Sequence, residues 1–142
     1  SIGGAIVSGN GPVMREVRDG RCAFGFTDTD DYWSAKSEGR PVEAIYPDQG
    51  KDELGCLVIP NTISLVKGGP NLDAAKKFID FVLSRDVERR LAFGPSAQIP
   101  VRADVEAPPH VKRLSEFKVM TVDFNRAAAQ FGPAQEWLTR PR

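Results

Sequence analysis

Apolar and polar positions along the chain follow two different periods. Helical spacing is clearest after Asn71, where Leu72, Ala75, Ile79, Val82 and Leu83 recur at three- and four-residue intervals with Phe78 flanking the stripe. That pattern predicts an amphipathic helix. Ser84 restarts a second helix through Val87, Leu91 and Ala92, which Gly94-Pro95 stops. A helix over 12–19 opens at Asn10-Gly11-Pro12, where Asn can cap and Pro is tolerated in the first turn, and Gly20 ends it. Another, over 30–38, opens from Asp28 or Thr29 and closes at Gly39. A last helix covers 123–131, and Gly132-Pro133 predicts a kink before 134–138. Behind Pro108-Pro109, residues 111–117 carry a weaker helical stretch.

Between these lie segments with strand signals. Cys22, Phe24 and Phe26 alternate with Ala23 and Gly25, and Val42, Ala44 and Tyr46 alternate with Glu43 and Ile45. Residues 55–60 and 62–67 read as two short strands broken at Pro60-Asn61, and 99–101 as a short extended piece. Residues 1–9 are Gly-rich and aperiodic, which predicts a loop. Helices alternating with strands give an α/β fold, a short mixed sheet flanked by helices.

Composition narrows what such a domain does. Lys plus Arg and Asp plus Glu are both 19, so there is no basic field to hold nucleic acid. The 142 residues are 41% hydrophobic, enough for one core and far from a disordered composition. No apolar run approaches a membrane span. The start at Ser1, with neither Met nor a leader, reads as a mature fragment. The two cysteines, Cys22 and Cys56, read as small buried hydrophobes, or as a disulfide in an oxidising compartment. The single histidine, His110, follows Pro108-Pro109 and reads as a solvated loop residue. Any His-based triad or metal site would have to be built around this one residue.

The stretch most suggestive of chemistry is Thr27-Asp28-Thr29-Asp30-Asp31-Tyr32-Trp33. Three carboxylates within four residues at a strand-to-helix junction repel one another unless a cation, donors or helix N-termini offset them. One reading makes an Asp the helix cap, its neighbours complements to the positive helix end, and Tyr32 and Trp33 core residues. The other points Asp28, Asp30, Asp31 or Tyr32 into a ligand cleft, where a hard cation, an amine or a hydroxyl suits them. Gly9-Asn10-Gly11 opens a helix and would offer Asn10 and Gly11 to an anion, or simply cap. No nucleophile elbow, zincin, phosphate-loop or dinucleotide motif is present. A small hydrolase using Asp28, Asp30 and Asp31, or a non-catalytic interaction domain, stand as alternatives to ligand binding.

Four pieces in order resemble one family. They are Ser8-Gly9-Asn10-Gly11 with the helix to Gly20; the block from Ala23 to Asp31; Val58-Ile59-Pro60-Asn61 followed by Ala74-Ala75-Lys76-Lys77-Phe78-Ile79-Asp80-Phe81 and Leu83-Ser84; and Gln98-Ile99-Pro100-Val101-Arg102. Together they are similar to the iron(III)-type solute-binding proteins of ABC importers, which have the type II periplasmic binding fold. The resemblance covers the C-terminal portion of proteins about twice this length, as two lobes require. It implies that 1–57 is a C-terminal-lobe segment, that 58–97 crosses back toward the N-terminal lobe, and that 98–142 returns to the C-terminal lobe.

The same resemblance implies a periplasmic, non-enzymatic protein that captures a small ligand and docks on membrane permease subunits. Its ligand residues would be Asp28, Asp30, Asp31 and Tyr32, with Asn10 and Gly11 as further contacts and Asn61 at the hinge. Iron-binding members carry a tyrosine pair where Asp30 and Asp31 stand here, and Tyr32 falls one residue late. Fe(III) as transported ligand therefore competes with polyamines, thiamine and phosphorylated compounds. No cofactor is implied. The apolar stripe over 72–93 would lack its usual partner surface, so self-association through this arm is expected.

Overall fold

The computed structural model describes residues 6–139, with five α-helices and one 3-10 turn among them. The chain divides into two units, the first comprising 1–45 and 60–116, the second 46–59 and 117–142.

In the first unit α1 spans Asn10–Arg18 and α2 spans Thr29–Ser37, and the two pack together. Gly25 explains how closely the segment between them lies on α1. A Cβ there would sit 2.4 Å from Val13 Cγ1 and 3.3 Å from Val17 Cγ2, so only hydrogen fits. α2 starts where Asp28 caps it, its carboxylate accepting the Asp31 amide at 3.3 Å. The second helix pair is α3, Leu72–Val82, and α4, Arg85–Phe93. Ser84 caps α4 by accepting from the Val87 amide at 3.4 Å. Asn71 precedes α3 without a side-chain cap bond; its carbonyl takes the Ala75 amide instead. The segment after α4 is tied back to it by Arg85–Asp104, Arg89–Glu106 and Glu88–Arg102 ion pairs. Residues Leu114–Glu116 form the 3-10 turn, the remnant of the helical stretch expected at 111–117. The buried apolar side chains of this unit are Ala35, Val42, Ala92, Ala97, Val105 and Val111, all small.

The second unit holds α5, Phe124–Thr139. Asp123 starts it, its carboxylate accepting the Asn125 and Arg126 amides at 3.0 and 3.1 Å. The helix runs on through Pro133, so the segments expected at 123–131 and 134–138 belong to one helix. Before α5, the loop at 47–54 closes around Lys118. The Lys118 ammonium donates to the carbonyls of Gly50, Lys51 and Glu53 at 2.9, 3.0 and 2.5 Å. The Gln49 side-chain amide pairs with the Lys118 backbone on both sides, at 2.7 and 3.1 Å. Gly55, at φ 94°, leaves room for this strand-like contact, since a Cβ would lie 2.9 Å from the Lys118 carbonyl oxygen.

The α/β expectation is overturned: among the described residues no sheet forms, and the architecture is helical. One isolated parallel bridge, Cys56 to Val119, is the only ladder contact there. Period-two alternation marks residues able to form a strand, but a strand also needs a neighbour for its backbone groups. The segments at 22–26, 41–46 and 57–66 have none, and Phe24, Phe26, Ile45 and Ile59 are 72–86% exposed. Both cysteines are free thiols, and burial holds the Cys56 thiol above its ordinary pKa. The loop expected at 1–9 lies outside the described residues up to residue 5.

Candidate functional site

The acidic stretch and the glycine-flanked helix start meet at one place. The N-terminus of α1 lies against the N-terminus of α2 because Thr27 and Asp28 bond back across the helix pair. Thr27 Oγ1 donates to the Asn10 carbonyl at 3.3 Å, and Asn10 Nδ2 donates to Asp28 Oδ2. A Cβ on Gly11 would meet Asp31 Oδ1 and an Arg15 guanidinium nitrogen, each at 3.4 Å. Asn10, Gly11, Asp28, Asp30 and Asp31 are thus one cluster, while Tyr32 sits a residue further along α2, its amide donating to the Asp28 carbonyl. Asn10 is the first residue of α1 and caps nothing; Gly9 holds the cap position.

The three carboxyls do not titrate alike. Partial burial raises the Asp28 pKa, but hydrogen bonds from Asp30, Asn10 and the Asp31 amide outweigh it, and the net shift is downward. Burial, then the hydrogen bond to Asp28 and its charge, push Asp30 up. Asp31 is raised by burial and by the Asp28 charge, against a smaller opposing pull from Arg15. Within the cluster Asp28 is thus the carboxyl that ionises most readily, and Asp30 and Asp31 ionise less readily than ordinary carboxyls. It offers acceptors at two helix N-termini, an arrangement that suits an ammonium or hydroxyl donor. Among the described residues no three His, Cys, Asp or Glu side chains are placed to hold a metal ion.

Asn61 lies elsewhere in the first unit and donates to Gln98 Oε1 at 3.0 Å, a pairing the sequence did not announce. Ala97, which precedes Gln98, has a φ of 44°, a left-handed conformation that alanine rarely adopts. His110 is an exposed loop residue, and its ring also stacks on Trp33, ring centroids 3.8 Å apart and planes within 4°. Arg15 was also overlooked, although its position four residues after Gly11 puts it on the same helix face.

Comparison with known proteins agrees with the four-piece resemblance at the level of the family. Residues 4–119 match the family described as bacterial extracellular solute-binding protein. An uncharacterized protein of Haemophilus influenzae strain Rd is 32% identical over 125 residues, which is 86% of this chain and 34% of that protein. A protein of Salmonella typhimurium LT2, named for a proposed 2-aminoethylphosphonate-binding role in the periplasm, is 39% identical over 72 residues, 50% of this chain and 21% of its own length. Proteins with the same name and the same match occur in Salmonella paratyphi A and Salmonella typhi. The chain thus spans about a third of the length of the Haemophilus relative, a smaller share than the half expected. No solved structure is detectably similar. The iron(III) subtype finds no support among these matches; the broader assignment does, together with a location outside the cytoplasm. The chain belongs to the bacterial extracellular solute-binding protein family.

Proposed function

We propose that this chain supplies the ligand-gripping part of a solute-binding component of an ABC importer, and that its solute is a small organic molecule bearing an amine. The observation that carries this is the tie between Asn10 on α1 and Asp28 on α2, which holds three carboxyl groups at two facing helix starts. A charged Asp28 beside Asp30 and Asp31 attracts an ammonium group and repels a bare anion. The backbone amides at the start of α1 suit an anionic tail at the other end of the same molecule. A zwitterion such as 2-aminoethylphosphonate, the compound in the Salmonella relatives' name, has both ends. Tyr32 and Gly11 complete the contacts in this reading, and the Asn61–Gln98 bond latches the hinge. Ferric iron is the competing cargo, and delivery is to membrane permease subunits. Capture is reversible binding, with no bond made or broken.

Calorimetric titration with 2-aminoethylphosphonate, with ethylphosphonate, and with ferric citrate tests this. The expected result is saturable heat with the amine-bearing compound only, lost in the Asp30→Asn, Asp31→Asn double variant. Equal binding of ethylphosphonate, or binding of iron alone, would overturn it.

A further inference from the structure

The loop at 47–54 and Lys118, both within the second unit, form a polar site that ligand capture does not use. The Glu53 amide donates to the Gly50 carbonyl at 3.3 Å and closes a turn. That turn aims the carbonyls of Gly50, Lys51 and Glu53 at one point, where the Lys118 ammonium donates to them at 2.9, 3.0 and 2.5 Å. A primary ammonium has three N–H donors and no acceptor, so three converging carbonyls satisfy it completely. All three acceptors are neutral; the Glu53 carboxylate is engaged by the Gly50 amide at 2.5 Å. The surroundings fix the site. Gln49 brackets the Lys118 backbone, and the Tyr46 and Phe117 ring centroids are 4.5 Å apart. The Cys56 amide donates to the Lys118 carbonyl at 2.8 Å, so the order of the loop and the place of Cys56 are linked.

We infer that the loop at 47–54 is a cation-binding loop whose ligand class is a primary ammonium ion, and that Lys118 is its built-in occupant. Geometry sets it apart from a divalent metal site. Calcium gathers about six to eight oxygens, carboxylates among them, at about 2.3–2.6 Å, and magnesium holds its oxygens closer still. Three neutral carbonyls, two of them at 2.9 and 3.0 Å, suit N–H donors instead. A guanidinium fits no better, because its donors lie in one plane and diverge. Charge agrees with a cation: the loop carries Asp48, Asp52 and Glu53 against Lys51 alone. With an uncharged side chain at 118, three carbonyl dipoles would point at one another with no donor between them. The loop therefore keeps its shape only while an ammonium is seated, and a free primary amine takes the seat once the Lys118 ammonium is removed.

Labelling of the Cys56 thiol by an aromatic disulfide, which ignores amines, tests this in the full chain, with the site read on its own peptide by mass spectrometry. In Lys118→Ala, Cys56 should label about tenfold faster than in wild type, because the loop loses its charged hydrogen bonds. Propylammonium, which replaces the severed stem atom for atom, should slow the labelling again in a saturable way. Tetramethylammonium, equally charged but without N–H donors, should not, and neither ion should alter the wild type. Lys118→Arg keeps the charge and should still label as fast as Lys118→Ala. Lys118→Met keeps the apolar stem, and should label fast and ignore propylammonium; circular dichroism checks that each variant retains its helices. In the wild type, slow exchange of the Lys118 ammonium protons should give a nitrogen–proton NMR signal at neutral pH, a readout that needs no variant. A wild-type rate in Lys118→Ala, rescue by tetramethylammonium, no rescue by propylammonium, protection retained in Lys118→Arg, or a rapidly exchanging ammonium would each overturn the inference.

Discussion

Glu88 on α4 accepts two hydrogen bonds from Arg102 and one from its neighbour Val101. One oxygen accepts the Arg102 amide at 3.0 Å and the Val101 amide at 2.6 Å, and the other takes the guanidinium at 2.6 Å. Arg102 in turn donates to the Leu83 carbonyl at 2.8 Å, at the end of α3. One carboxylate thus fixes the segment after α4 to both helices of the pair.

Glu88→Gln should therefore destabilise the first unit by about 1–3 kcal/mol, because charged hydrogen bonds are lost while the amides still need an acceptor. Burial opposes ionisation of Glu88, but the Arg102 and Val101 bonds prevail and its pKa is lowered. A lowered carboxyl pKa contributes stability that is present above the unfolded value and is lost as pH falls through the folded one. Urea titrations from neutral to acid pH should show the wild-type advantage over Glu88→Gln shrinking only on the acid side.

Asp30 and Asp31 carry the opposite sign. Their raised pKa values mean that the stability they give is present at low pH and is lost as pH rises above the ordinary carboxylate range of about 4. Asp30→Asn and Asp31→Asn should each leave the chain as stable or slightly more stable at pH 7, by up to about 1 kcal/mol. Asp28→Ala should cost about 1 kcal/mol at the same pH, because it removes a helix cap. Thermal melts of the three variants distinguish the two behaviours.

Gly25→Ala should destabilise by about 1–3 kcal/mol, the usual cost of overpacking, since the new methyl meets Val13 Cγ1. Val13→Ala in the same chain should restore much of the loss. An additive double variant would refute the contact.

Lys118→Met should release the loop at 47–54. Three carbonyls lose a charged donor, a loss of about 1.5–3 kcal/mol. Hydrogen exchange at residues 49–56 should accelerate while α3 and α4 keep their protection.

The helices were legible because each carries its own boundary signals. Asp28, Ser84, Gly39 and Gly94 stand within two residues of the observed ends. The sheet was misread because alternation at 22–26 says nothing about whether another segment lies alongside. The acidic cluster was legible as a group, since its members are neighbours in sequence. Its tie to Asn10, eighteen residues away, was not, and neither was the Gln49 clamp on Lys118, sixty-nine residues apart. Such contacts depend on how helices pack, which local spacing does not encode.

The stacking of Trp33 on His110 has a practical consequence. Trp33 lies in α2, two residues after Asp31, and its indole is in face-to-face contact with an imidazole. Any shift of α2 that parts the rings changes the surroundings of the chromophore. The chain carries two tryptophans, and Trp137 belongs to α5. In a Trp137→Phe background, the remaining emission becomes an intrinsic optical gauge of the acidic cluster, readable without a dye or a label.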